Sequence, residues 1–399
     1  MFEQLKALPA DPILGLSIAY QQDANPQKVD LGVGVYKNEK GVTPVLASIR
    51  QAQQRLHESE QTKAYQGPGG DALFNQRIQT LIFGNALEAR LGDRLKTLQA
   101  PGGCGALRMA AELIKVSATA AGRSVAPTVW VSGPTWANHI PLLAGAGLQI
   151  KEYPYYSPAT QSVDFDAMLE TLKQVPAGDL VLLHGCCHNP CGTDLSREQW
   201  QVVAGLAQNN GFVPFVDLAY QGFGEGLEED AYGVRLLADA VPEMLVASSC
   251  SKNFGLYRER AGALSVLGSS AAQTYSAFTQ MQSVARGMWS MPPAHGAALV
   301  AEVLGNPSLC QQWQGEVDDM RERIASLRVA LSVALGDAGD FSFIPRQNGM
   351  FSFLGLSALQ VARLKTEFSV YMVDSSRINI AGVSRSNLDY LAASIKAVL

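Results

Sequence analysis

The sequence predicts an α/β protein: a large domain with a mostly parallel sheet flanked by helices, plus a smaller α+β domain built from both termini. Three observations predict it. Short β-rich apolar runs recur through the middle of the chain, helical patterns lie between several of them, and the texture changes near residue 306. Apolar runs that do not alternate with polar residues suit strands buried on both faces, as a parallel sheet requires.

The runs are Val129-Trp-Val-Ser132, Leu180-Val-Leu-Leu-His184, Val213-Pro-Phe-Val-Asp217, Leu245-Val-Ala-Ser-Ser249 and Ala263-Leu-Ser-Val-Leu267. Between two of them Ser196 precedes Gln199 by three residues, a capping box ahead of Val202, Val203, Leu206 and Ala207, and Gly211 closes that helix. Residues 106–121 and 164–175 read as further helices. Strand, helix and strand in repetition mean an open α/β sheet. From 307 to about 335 a long amphipathic helix follows, with Trp313, Val317, Met320, Ile324, Leu327 and Leu331 on one face. Met350-Phe-Ser-Phe-Leu354 and Tyr371-Met-Val373 read as strands, and 386–399 as a terminal helix. The expected division is 1–45 as an N-terminal segment of the small domain, 46–305 as the large domain and 306–399 as the rest of the small one.

Composition narrows the function classes. The chain has 399 residues, 47% hydrophobic and 17% charged, which suffices for a sizeable core. A net charge of −5 without a basic block argues against a nucleic-acid surface, so anions must be bound by a few placed arginines. No run approaches the ~20 apolar residues of a membrane span. The N-terminal stretch lacks a basic region followed by an apolar one, so it does not read as a secretory signal, and six scattered or clustered cysteines suit reduced thiols. The expected compartment is the cytoplasm.

In open α/β sheets ligands bind beyond the carboxyl ends of the strands, so the polar residues after each run are the ones to weigh. Gly67-Pro-Gly-Gly-Asp-Ala72 satisfies a dinucleotide pattern in letters but has no buried strand before it. Pro101-Gly-Gly-Cys-Gly-Ala106 opens a helix; its unpaired N–H groups suit a phosphate, and a plain tight turn would read the same way. His184-Gly-Cys-Cys-His-Asn-Pro-Cys191 invites a metal, but its candidate ligands crowd into one short stretch with no partners elsewhere, so no metal is expected. Lys252 follows a buried strand between small polar residues, where an amine can form a Schiff base with a carbonyl cofactor. Asp217 ends another buried strand and needs a cation to offset its desolvation, or else caps a loop. Lys252, Asp217, Tyr220, Asn189, Trp136 and the glycine-rich helix start together are the parts that pyridoxal 5′-phosphate requires.

At this point the chain resembles a class I aminotransferase of the fold type I pyridoxal-phosphate enzymes, in the aspartate and aromatic amino-acid branch. The resemblance runs almost end to end, through Asp11-Pro-Ile-Leu-Gly-Leu16, Leu31-Gly-Val-Gly-Val-Tyr-Lys37, His188-Asn-Pro-Cys-Gly192, Asp217-Leu-Ala-Tyr-Gln-Gly-Phe223, Ser251-Lys-Asn-Phe-Gly-Leu-Tyr257, Pro292-Pro-Ala-His-Gly296 and Arg377-Ile-Asn-Ile-Ala-Gly382. It implies that Lys252 holds the cofactor covalently and shuttles a proton, that Asp217 keeps the pyridine nitrogen protonated, and that Tyr220 and Asn189 bond the ring oxygen. It implies Trp136 on the ring face and Gly103, Cys104, Gly105, Ser249, Ser251 and Arg260 around the phosphate. Tyr65 would reach the phosphate of a neighbouring subunit in a homodimer. Arg377, with the backbone at Gly34, would take the substrate α-carboxylate, and Arg286 would cross the interface to a side-chain carboxylate. Arginine's planar fork suits both tasks.

Two departures bear on substrate. Cys104 stands where the family often has Thr, and Met288, Trp289 and Met291 replace more polar residues of strict aspartate enzymes. An adaptable apolar wall suits aromatic side chains, although core or interface packing accounts for the same residues. The expected activity is therefore amino transfer from phenylalanine, tyrosine and tryptophan, and from aspartate, to 2-oxoglutarate; a strict aspartate aminotransferase is the alternative.

Overall fold

The computed structural model describes residues 1–8 and 12–399; Asp11, which opens one block of the resemblance, lies outside them. The chain divides into two compact units: Met1–Thr43 with Pro190–Gly192 and Arg323–Leu399, and Pro44–Asn189 with Thr193–Glu322.

The larger unit holds a 7-stranded sheet. Its strands are β1 (Leu95–Pro101), β2 (Val129–Gly133), β3 (Ile150–Pro154), β4 (Leu180–His184), β5 (Val213–Leu218), β6 (Met244–Ser249) and β7 (Ala261–Leu267). Their spatial order is β1-β7-β6-β5-β4-β2-β3, with β7 antiparallel to both its neighbours and every other pairing parallel. The five apolar runs all became strands, as expected. Two strands, β1 and β3, carry too many polar residues to show in that pattern.

Helix α1 (Gly102–Ala120) packs one face of the sheet, together with α3 (Ala271–Trp289). Leu98, Val131, Leu182, Phe215, Ala247 and Leu264 meet Leu107, Ala110, Ala111 and Met281 in one buried cluster. Because side chains alternate along a strand, Thr97 points the other way from Leu98 and meets Gln79 of helix Ala72–Phe83 at 3.0 Å. The sheet is thus covered on both faces, which is why its strands read as continuous apolar runs. Helix α2 (Arg197–Asn210) carries the expected capping box, with Ser196 and Gln199 each bonding the other's backbone, and ends at Gly211 in the left-handed region, φ 74°.

The smaller unit contains a parallel pairing of Val29–Asp30 with Val370–Tyr371 and an antiparallel pairing of Phe351–Phe353 with Arg377–Asn379. Helices Ala358–Phe368 and Leu388–Val398 bury Val361, Leu364, Leu391 and Ile395. The long helix α4 (Pro307–Leu335) has the predicted bounds; it begins in the larger unit and ends in the smaller. Among the described residues no helix is long and apolar enough to cross a membrane.

Candidate active site

Parallel strands deliver their carboxyl ends to one edge, and the loops there carry the predicted side chains. Register pairs His184 with Asp217 and Asp217 with Ala247, so β4, β5 and β6 end side by side. Three residues beyond Ser249 stands Lys252, its Nζ 4.5 Å from the centre of the Tyr220 ring. Burial pushes the Lys252 amine down to about 8; Asp217 pulls it up and the charge of Arg260 pushes it further down. Near neutrality a useful fraction of this amine is therefore an unprotonated nucleophile.

Asp217 is 8% exposed. Burial pushes its carboxyl up, but the hydrogen bond and electrostatic pull of His139, with the charge of Lys252, outweigh that and hold it below the usual carboxylate range. The site thus keeps an anion under its roof at neutral pH.

What holds that anion was not anticipated from the sequence. His139 Nε2 donates to Asp217 Oδ2 at 2.9 Å, and Thr135 Oγ1 lies 2.7 Å from His139 Nδ1 and 3.2 Å from His184 Nε2. With His184 donating to Thr135, the threonine hydroxyl donates to Nδ1 and the His139 ring proton faces the carboxylate. His184 lies tilted against His188 with ring centres 3.9 Å apart, and His188 Nε2 lies 3.0 Å from Ser132 Oγ, which donates to Pro134 O. Burial and the neighbouring rings push His184 well below its ordinary value, and burial with His139 takes His188 down to about 3. The histidines considered above as metal ligands are instead a neutral polar relay behind Asp217. The available signal was position: Thr135 and His139 follow the end of β2 just as Asp217 ends β5.

The anion cradle lies at the junction of β1 and α1. Among the described residues helix α1 has no side-chain cap, so its first N–H groups at Gly103, Cys104 and Gly105 have no capping partner there. Gly102 has φ +70° and a Cβ there would stand 2.6 Å from Arg260 Nη2; at Gly103 it would stand 3.1 Å from Ser249 Cβ. Arg260 is itself left-handed, φ 54°, and its Nη1 donates to Tyr257 O at 3.0 Å. Ser249 Oγ accepts from Ser251 N at 3.2 Å. Helix N–H groups, two serines and a guanidinium converge there, a donor set that fits a phosphate. Asn189 donates to Tyr220 Oη at 3.5 Å, and its buried Oδ1 has no partner among the described residues. Trp136 stands edge-on to His139, ring centres 5.2 Å apart.

The structure leaves other predicted residues outside this group. Tyr65 is 93% exposed, and exposed Arg286 donates to Ser290 Oγ at 2.8 Å and forms no ion pair among the described residues. Of the apolar wall, Trp289 packs against the sheet core, while Met288 is exposed at the end of α3. In the smaller unit Arg377 is 7% exposed, donates from Nη2 to Gly32 O at 2.7 Å and lies with Cζ 4.5 Å over the Phe351 ring. A Cβ at Gly34 would come 2.7 Å from Phe351 Cζ, so the backbone there approaches the same ring.

Cys186, Cys187 and Asp230 bring potential ligand atoms within 4.8 Å of one another. That carboxylate already accepts from the N–H groups of Gly222, Gly224 and Glu225, and the neighbouring Cys187 together with burial raises the Cys186 thiol well above its ordinary value. The group organises the turn after Tyr220.

Comparison with known proteins follows the same lines. The family described as aminotransferase class I and II matches residues 26–395. The chain is 49% identical over 400 residues to an aromatic-amino-acid aminotransferase of Pseudomonas aeruginosa, covering 100% of this chain and 98% of the relative. It is 47% identical over 402 residues to an aspartate aminotransferase of Haemophilus influenzae, covering 100% of each. A crystal structure of the aromatic-amino-acid aminotransferase from Burkholderia pseudomallei, covalently bound to pyridoxal phosphate, superposes with TM-score 0.95 at 42% identity, covering 100% of this chain and 99% of that one.

Proposed function

This chain belongs to the class I and II aminotransferases, and from that premise we propose that it moves the amino group of phenylalanine, tyrosine, tryptophan and aspartate to 2-oxoglutarate. It is a pyridoxal-phosphate-dependent transaminase, working in two halves: one amino acid loads the amine and one 2-oxo acid removes it. The observation that carries the reading is the Lys252 amine, lowered to about 8 and lying 4.5 Å over Tyr220 beside the anionic Asp217.

The cofactor supplies an electron-poor conjugated ring that accepts the electron pair left when the substrate Cα loses its proton. Lys252 Nζ would hold it covalently and, once displaced by substrate, carry the Cα proton. Asp217 would bond its ring nitrogen, backed by His139, and Tyr220 and Asn189 its ring oxygen. Trp136 would cover its face. Gly103, Cys104, Gly105, Ser249, Ser251 and Arg260 would hold its phosphate. Arg377 would bind the substrate α-carboxylate, with Gly34 giving it backbone access.

The active form is a homodimer: Tyr65 and Arg286 are exposed and take no part in their own chain's cluster, as suits residues that serve a second copy. Tyr65 would reach that copy's phosphate, and Arg286 its substrate's side-chain carboxylate. Residues 46–305 form the cofactor-binding domain and 1–45 with 306–399 the smaller one, in a cytoplasmic protein. A second reading, a strict aspartate aminotransferase, draws on the partly buried Trp289 packing against the sheet core instead of standing free as a substrate wall. The test mixes cofactor-loaded protein with aspartate, phenylalanine or tyrosine and follows the cofactor absorbance. Conversion by all three at comparable rates supports the broad reading; conversion by aspartate alone establishes the strict one.

A further inference from the structure

We infer that Arg328, a buried residue of α4, is a positioning residue for substrate binding: it grips the 344–351 turn and through Phe351 sets the guanidinium of Arg377. The inference rests on the reading of Arg377 as the α-carboxylate clamp.

Arg328 is 2% exposed. Its Nη1 donates to Ile344 O at 3.1 Å, and its Nη2 donates to Asn348 O, Gly349 O and Phe351 O at 2.9, 2.7 and 2.6 Å. A leucine would fill an amphipathic helix face as well by packing alone. A buried guanidinium is tolerated where its N–H groups are answered, and its rigid fork can close several carbonyls of an irregular turn at once. The turn leads directly into the strand Phe351–Phe353, whose register places Phe353 opposite Arg377 and Phe351 opposite Asn379.

Phe351 is where the grip meets the clamp. Its carbonyl is held by Arg328, and its ring lies under Arg377 Cζ and against the backbone of Gly34. A Cβ at Gly192 would come 2.3 Å from Phe351 O, so that carbonyl is confined from a second side. Arg377 is held from its other side by Gly32 O. A shift of the turn therefore moves the floor on which the fork rests, and small misplacements of a binding group weaken substrate capture steeply.

The test uses full-length, cofactor-loaded protein and two readouts: steady-state kinetics per mole of bound cofactor, and calorimetric binding of succinate, a dicarboxylate with no amine to react. Arg328→Lys keeps the charge but cannot span carbonyls bonded from two different nitrogens. It is expected to raise KM for the amino acid and Kd for succinate about 10-fold with kcat within about 3-fold. Phe351→Leu leaves the carbonyl grip and removes the ring; it is expected to raise both constants about 5-fold, and the double variant to raise them by less than the product. Unchanged KM and succinate affinity in Arg328→Lys, with only a lower Tm, overturns the inference. Should that variant fail to fold, unchanged succinate affinity in Phe351→Leu does the same. Arg377→Lys separates the two claims: unchanged succinate affinity there sinks the clamp itself, whereas a higher succinate Kd there without one in Arg328→Lys sinks only the role of Arg328.

Discussion

At the scale of single residues, the chemistry depends on one amine whose proton is held loosely. Lys252→Ala is expected to lower kcat by at least about 10³-fold, the scale of losing a group proposed both to anchor the cofactor and to carry the proton. In cofactor-free protein the same amine must be neutral to capture an aldehyde. Capture of pyridoxal phosphate, followed by absorbance, is therefore expected to speed up from pH 6 and level off just above pH 8, the value to which burial takes Lys252. A rate still climbing steeply at pH 10 would contradict that assignment. Arg286→Ala should cost aspartate about 10²-fold in kcat/KM, the worth of a charge-assisted pair, and leave phenylalanine within about 3-fold. Lys252 and Asp217 stood out in the sequence because one follows, and the other ends, an apolar run that reads as a buried strand. His139 was not: a histidine inside a short helix gives no periodic signal, and its meaning lies in a carboxylate 78 residues away.

At the scale of elements, legibility followed burial. Strands covered on both faces announced themselves, and α4 was found with both ends close to their observed places because its apolar stripe repeats over many turns. Strand β1 was missed because Thr97 and Gln99 interrupt it; their polar atoms are satisfied by Gln79, Ser265 and the Pro293 carbonyl, partners no local pattern reveals. One element also braces the lysine loop. Trp313 of α4 is fully buried, stacks on Phe254 with ring centres 4.4 Å apart and donates from Nε1 to Asn253 O at 2.7 Å. Trp313→Phe keeps the stack and strands that carbonyl, so urea unfolding should show a loss of about 1–3 kcal/mol. An equal loss in a Trp313→Phe/Phe254→Leu pair and in Phe254→Leu alone would place the effect elsewhere.

For the whole molecule, the histidine relay makes stability depend on acid. His188 stays neutral in the fold down to about pH 3, while an unfolded chain protonates it below about 6.5. Between those values the unfolded state binds more protons, so the stability contributed is complete above 6.5 and is lost as pH falls towards 3. Each such proton steepens the decline by about 1.4 kcal/mol per pH unit. Urea midpoints measured from pH 7 to 4 should fall steadily, and His188→Gln should flatten the fall. The proposed homodimer has its own test: dilution should abolish turnover as the subunits part, and mixing Lys252→Ala with Arg286→Ala subunits should restore aspartate activity in part. For Tyr65 and Arg286 only the family resemblance suggested a role across subunits, since an exposed side chain looks the same whether it faces water or a partner.

The cysteine at the start of α1 carries a practical consequence. Of six cysteines, Cys104 and Cys310 alone are partly exposed, and burial raises the Cys310 thiol. Cys104, touched by Asn138 Nδ2 at 3.5 Å, sits in the first turn of α1, which we propose holds the phosphate. Alkylation with iodoacetamide, mapped by mass spectrometry, should then act as a built-in occupancy gauge, labelling position 104 in stripped protein and sparing it once the prosthetic group is seated.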